Sequence, residues 1–128
     1  MQNVAARVVT RTRKHHITPI LYTLQWLPVE FRIRYKLLCL VFRCLIGTAP
    51  AYLCSLLSMY EPPRSLRSQD KNLLIVPKVK TVQYGSKSFA YAGAMTWNSL
   101  PQSLRDCCDF ETFRSNLKTH LFKIAFEL

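Results

Sequence analysis

A mainly α-helical fold, built as one small helical domain or fragment, is predicted by three features of the sequence. Apolar residues recur with helical period over 29–46, at Val29, Ile33, Leu37, Leu40, Val41, Cys44 and Leu45. Asp109, a good capping residue, stands directly before a second apolar stripe of Phe110, Phe113, Leu117, Leu121 and Ile124. β-favouring character is confined to Leu73–Val76 and Val79–Tyr84, which Pro77 separates, so at most one short β-hairpin around residues 73–84 is expected. With 128 residues, 49% of them hydrophobic, the chain suits a single core rather than a disordered tract.

Taken in order, residues 2–14 read as a short helix. Val4, Ala5, Val8 and Val9 share one face, and Arg7, Arg11 and Lys14 lie on another. Thr18-Pro19 is expected to open the next helix, with threonine as cap and proline in the first turn. Ile20, Leu21 and Leu24 give that helix its apolar side. The 29–46 helix is supported by Glu30 and Arg34 one turn apart and should stop at Gly47, with Pro50 beyond it. Residues 50–59 suit one or two further turns, with Tyr52, Leu53, Leu56 and Leu57 facing inward. Ser88–Leu100 returns to helical character, with Phe89, Gly93 and Trp97 at four-residue steps and Gly93 permitting close approach. Leu100-Pro101 begins another turn. The chain thus divides into a basic helical segment (1–60), an exposed loop (61–72) and a hairpin followed by helices (73–128), forming one structural unit.

Charge narrows the expected partners. Eighteen Lys and Arg against seven Asp and Glu give +11, of which +7 lies in residues 1–50. Such a field favours polyanions, meaning RNA, DNA or an anionic membrane surface. Arg7, Arg11, Arg13 and Lys14, then Arg32, Lys36 and Arg43, are the candidate phosphate contacts, with Arg34 near them. Tyr22, Trp26, Phe31 and Tyr35 are interleaved with these cations and could stack on unpaired bases, although Trp26 and Phe31 suit a core equally well. The most apolar run, Leu37–Ile46, contains Arg43 and is about half the ~20 residues of a membrane span, so no transmembrane segment is expected. The opening residues lack the apolar stretch of a secretory leader, and an intracellular setting, nuclear or cytoplasmic, with reduced thiols is favoured.

Catalytic chemistry is not expected. Cys39, Cys44, Cys54, Cys107 and Cys108 show no metal-ligand spacing, and the first three read as small buried hydrophobes. His15 and His16 lie in a basic junction, and His120 sits beside the last apolar stripe. Two-metal nucleotidyl transfer needs clustered carboxylates, whereas none of Asp70, Asp106 and Asp109 stands next to another acidic residue. No cofactor motif is present, and only three glycines are available to cradle a phosphate.

Several longer phrases carry a resemblance. Asn3-Val-Ala-Ala-Arg-Val-Val-Thr, His16-Ile-Thr-Pro-Ile-Leu, Leu24-Gln-Trp-Leu-Pro-Val and Arg32-Ile-Arg-Tyr-Lys-Leu-Leu follow one another. Gly47-Thr-Ala-Pro-Ala-Tyr-Leu, Arg64-Ser-Leu-Arg-Ser, Trp97-Asn-Ser-Leu-Pro and Phe110-Glu-Thr-Phe-Arg-Ser-Asn-Leu-Lys-Thr-His-Leu-Phe continue the series. In this order they resemble the C-terminal region of LINE-type (non-LTR) retrotransposon reverse transcriptase polyproteins. The resemblance covers nearly the whole chain and implies a place downstream of the catalytic palm and thumb. It implies an accessory role beside the upstream reverse transcriptase portion, holding RNA or DNA. The family's Tyr-x-Asp-Asp type motif has no counterpart here, so no catalytic residue carries over; neither does its C-terminal cysteine knuckle. An orphaned remnant or a protein-interaction module is the alternative expectation.

Overall fold

The computed structural model describes residues 2–11, 16–60, 64, 73–78 and 88–127. Their helices are α1 (Gln2–Thr10), α2 (Ile17–Thr23), α3 (Val29–Leu45), α4 (Ala51–Cys54), α5 (Phe89–Asn98), α6 (Gln102–Arg105) and α7 (Phe110–Ala125). α3 is the hub, packing against α7, α5 and α4, while α1 pairs with α2 and α6 with α7.

The helix boundaries follow local chemistry. α3 ends in a Schellman motif: Gly47 takes φ +80°, its N–H donates to Cys44 O, and the Thr48 N–H donates to Arg43 O. α2 ends in the same motif with Gln25 in the left-handed position at φ 55°. There the Gln25 N–H donates to Tyr22 O and the Trp26 N–H to Leu21 O. Asp109 caps α7 by accepting from the Thr112 N–H at 3.0 Å, and those hydrogen bonds hold its carboxyl below the ordinary range. Ser88 caps α5 by accepting from the Tyr91 N–H. At α2 the cap is His16, whose Nδ1 accepts from the Thr18 N–H. Thr18 is therefore inside the helix rather than its cap, and Pro19 occupies the first turn. α1 stops at Thr10, short of residue 14, and Arg11 turns out of the helix at φ 55°.

The main core lies where α3, α5 and α7 meet. Leu38, Val41, Phe42, Trp97, Phe113 and Leu117 form its centre. Phe42 and Phe113 stack at 4.3 Å with rings 10° apart, and Trp97 lies 5.7 Å from Phe113. Gly93 lets α5 approach α3 closely, because a Cβ there would lie 3.1 Å from Val41 Cγ2. A smaller cluster of Ala6, Ile20 and Leu21 joins α1 to α2, with Trp26 and Phe126 packed against it. Tyr22 stacks on Phe122 and meets Phe126 edge-on, which ties this cluster to the end of α7.

Burial departs from the expected faces in several places. The buried side of α3 is Leu38, Val41, Phe42 and Cys44; Val29 and Ile33, at 63% exposure for Ile33, point outward. Ala6 is the buried residue of α1, and Val4, Val8 and Val9 are exposed. Tyr52 and Leu56 also face outward, as does Ile124 at the far end of α7. Cys44 is buried as expected, whereas Cys39 and Cys54 are half-buried.

Among the described residues there is no extended strand. Leu74 instead forms an isolated antiparallel bridge with Met59, flanked by the Tyr60 N–H donating to Leu73 O and the Ile75 N–H to Ser58 O. Residues 79–84, the second half of the expected hairpin, lie outside the described residues, as does most of the 61–72 loop. Asn98 completes the bridge: its Nδ2 donates to Leu74 O and its Oδ1 accepts from the Leu74 N–H, both at 2.8 Å. Arg105 is buried and donates to Asn98 O and Leu100 O, satisfying carbonyls at the C-terminal end of α5.

Candidate nucleic-acid interface

The cations of α3 fall on one stripe because Arg32, Lys36 and Arg43 are separated by four and seven residues. α7 carries a matching stripe of Phe110, Arg114 and Lys118, each four residues from the last. The two helices run antiparallel, so the stripes flank the seam between them. At one end of the seam, Arg43 and Arg114 lie beside Phe110; further along, Lys36 shares a cavity with Lys118.

Two cavities open along this seam and share Tyr35 and Lys36. The larger, of about 610 Å³, is lined by Gln2, Gln25, Trp26, Leu27, Val29, Arg32, Ile33, Tyr35, Lys36 and Lys118. The second, of about 350 Å³, is lined by Tyr35, Lys36, Cys39, Leu40, Arg43, Phe110 and Arg114. Together they make a groove lined by aromatic and apolar groups and by five cations, Arg32, Lys36, Arg43, Arg114 and Lys118.

Aromatic rings position three of those cations. The Arg43 guanidinium carbon lies 4.6 Å from the centre of the Phe110 ring, and that of Arg114 lies 5.9 Å from it. Arg32 sits 6.0 Å from the centre of Trp26. Each contact is worth about 0.5–1 kcal/mol at an exposed site, enough to orient a side chain without removing it from solvent. Arg114 also meets Glu111 in an exposed ion pair, and such a pair is readily exchanged for another anion. Cys39 lines the second cavity together with Arg43 and Arg114. Burial pushes its thiol up more strongly than the hydrogen bond with Tyr35 and the two guanidiniums pull it down. It therefore adds no negative charge to the groove at neutral pH.

Of the residues expected from sequence to contact phosphate, Arg32, Lys36 and Arg43 come together here. Arg7 of α1, and Arg11 just beyond that helix, do not line the groove, although Gln2 of α1 does. Arg13 and Lys14 lie outside the described residues. Arg34 does not line the groove; it pairs with Glu30 at 3.1 Å and borders a separate cavity with His120 and Leu121. Of the four stacking candidates, Trp26 and Tyr35 line the groove, Phe31 packs against the main core, and Tyr22 stacks on Phe122. Sequence reasoning did not reach Arg114 and Lys118 as partners of the α3 cations. Their spacing from Phe110 was visible, but the antiparallel pairing of α3 with α7 was not.

Other chemistry finds little support. Among the described residues no group of three or more His, Cys, Asp or Glu could hold a metal ion. Among the same residues no helix is long and apolar enough to cross a membrane. His16 serves as a helix cap. His120 is half-buried beside Leu38, Leu100 and Leu121, and burial, then Lys123, holds its ring below the ordinary value.

These features define a small helical protein with a cationic, aromatic-lined groove. Comparison with protein-family models, with curated proteins and with solved structures yields no match.

Proposed function

We propose that this chain is a non-catalytic segment related to the C-terminal region of LINE-type retrotransposon reverse transcriptases, and that it binds nucleic acid along the α3–α7 seam. The ordered series of phrases from Asn3 to Phe122 supports the relationship. The observation that carries the binding is the convergence of Arg32, Lys36, Arg43, Arg114 and Lys118 on one groove. Cations arranged this way replace counterions along a phosphate chain, which gives affinity and salt dependence with little sequence selectivity.

The test is binding of the purified chain to labelled single-stranded RNA over a range of salt concentrations. Reversing Lys36 and Arg43 to Glu should weaken binding and flatten the salt slope by roughly 1.4, about 0.7 for each phosphate no longer neutralised. An unchanged slope would sink the reading.

A second reading is supported by the exposure of Val4, Val8 and Val9 on α1 and of Val29 and Ile33 at the start of α3. These apolar residues suit a segment that docks on the upstream polymerase portion, as an interaction module or an orphaned remnant would. Strong binding of a hydrophobic dye together with self-association would favour it. A monodisperse chain that melts cooperatively would count against it.

A further inference from the structure

We infer that the groove takes an unpaired nucleotide, stacked against Trp26, and so selects single-stranded nucleic acid over duplex. The inference rests on the nucleic-acid reading above and adds a substrate class to it. Charge alone predicts the opposite preference, because a duplex presents more phosphates per unit length than a single strand.

Trp26 is fixed from two directions. Its N–H closes the Schellman motif of α2 on Leu21 O, and its side chain packs against the cluster that contains Leu21. It nonetheless remains half-buried and lines the groove beside Tyr35. The cation over it, Arg32, is exposed and at 6.0 Å stands near the ~6 Å outer limit for such a contact. A loosely held guanidinium above an indole can give way to a base, then stack on it or reach its phosphate. A paired base inside a duplex cannot reach this wall.

The rest of the seam supplies the backbone contacts. From Arg32 to Arg43, α3 advances about 16 Å, long enough to follow several consecutive phosphates of one strand. A platform for a base at one end and cations spaced along the remainder is the usual arrangement of single-strand binders.

The test compares a labelled oligouridylate, its deoxy counterpart and a blunt RNA duplex of equal length, by anisotropy and by tryptophan fluorescence of the full chain. Trp97 is 1% exposed, so a fluorescence change on binding reports on Trp26. The expected result is tighter binding of both single strands than of the duplex, with quenching by the single strands only. Trp26→Leu should weaken single-strand binding about ten-fold, well beyond its effect on duplex binding, while Trp26→Phe should retain most of the single-strand affinity. Salt-dependent binding without strand preference or quenching in the wild-type chain would overturn this inference and leave the nucleic-acid reading standing. Absence of salt-dependent binding to all three probes would overturn both.

Discussion

At the residue scale, Asn98 takes the place that a neighbouring strand would otherwise fill. Its amide pairs with both backbone groups of Leu74, a buried core residue 24 positions earlier in the chain. Asn98→Ala leaves those two groups without their partners and should cost about 1–3 kcal/mol, measured by urea unfolding. Asn98→Asp keeps the acceptor but removes the donor to Leu74 O, so it should not restore stability. His120 gives a pH-dependent prediction. The fold holds its ring below the ordinary value of 6.5, so the unfolded chain takes up a proton first as pH falls. Stability contributed by the neutral ring is present above pH 6.5 and is lost as pH drops toward the folded-state value. His120→Gln should flatten that decline when melting temperature is followed against pH. Local rules made Asp109 and Gly47 legible from sequence, since a cap and a Schellman glycine act on neighbouring atoms. Asn98 was not legible, because its partner is distant and its type is ordinary for a helix end.

At the scale of the element, the position and termini of α3 were legible and its orientation only in part. Val41 and Cys44 of the expected stripe are buried, but Val29 and Ile33 are exposed, and Leu38 and Phe42 join the core instead. Apolar side chains occur on nearly every side of this helix, so periodicity alone selects no single face. The choice is made by tertiary packing: Phe42 finds Phe113, and Val41 finds the space left by Gly93. Leu38→Ala should therefore cost about 2–5 kcal/mol, whereas Ile33→Ala should stay within about 0.5 kcal/mol. Chemical denaturation of the two variants side by side checks this, and equal destabilisation would restore the face expected from sequence. The same dependence on packing explains the groove. The spacing of cations on each helix was readable, but which helices lie side by side was not.

At the scale of the whole molecule, the mainly helical fold was legible from composition and period, and the isolated Met59–Leu74 bridge marks the place of the first β-favouring run, Leu73–Val76. Among the described residues there are two apolar clusters of unequal size. The larger unites α3, α5, α6 and α7, and the smaller holds α1 and α2 through Ala6, Ile20 and Leu21. Three small or medium side chains hold far less apolar surface out of water than the twelve buried residues of the larger cluster. The α1–α2 hairpin should therefore open as a unit of its own, below the free energy of global unfolding. In native-state hydrogen exchange, amides of α1 and α2 should exchange ahead of those in the centres of α3 and α7. Since Trp26 is anchored to the weaker unit, one wall of the groove would be hinged. Threading of a strand would then be timed by the breathing of that hairpin, and occupancy of the groove would slow its exchange.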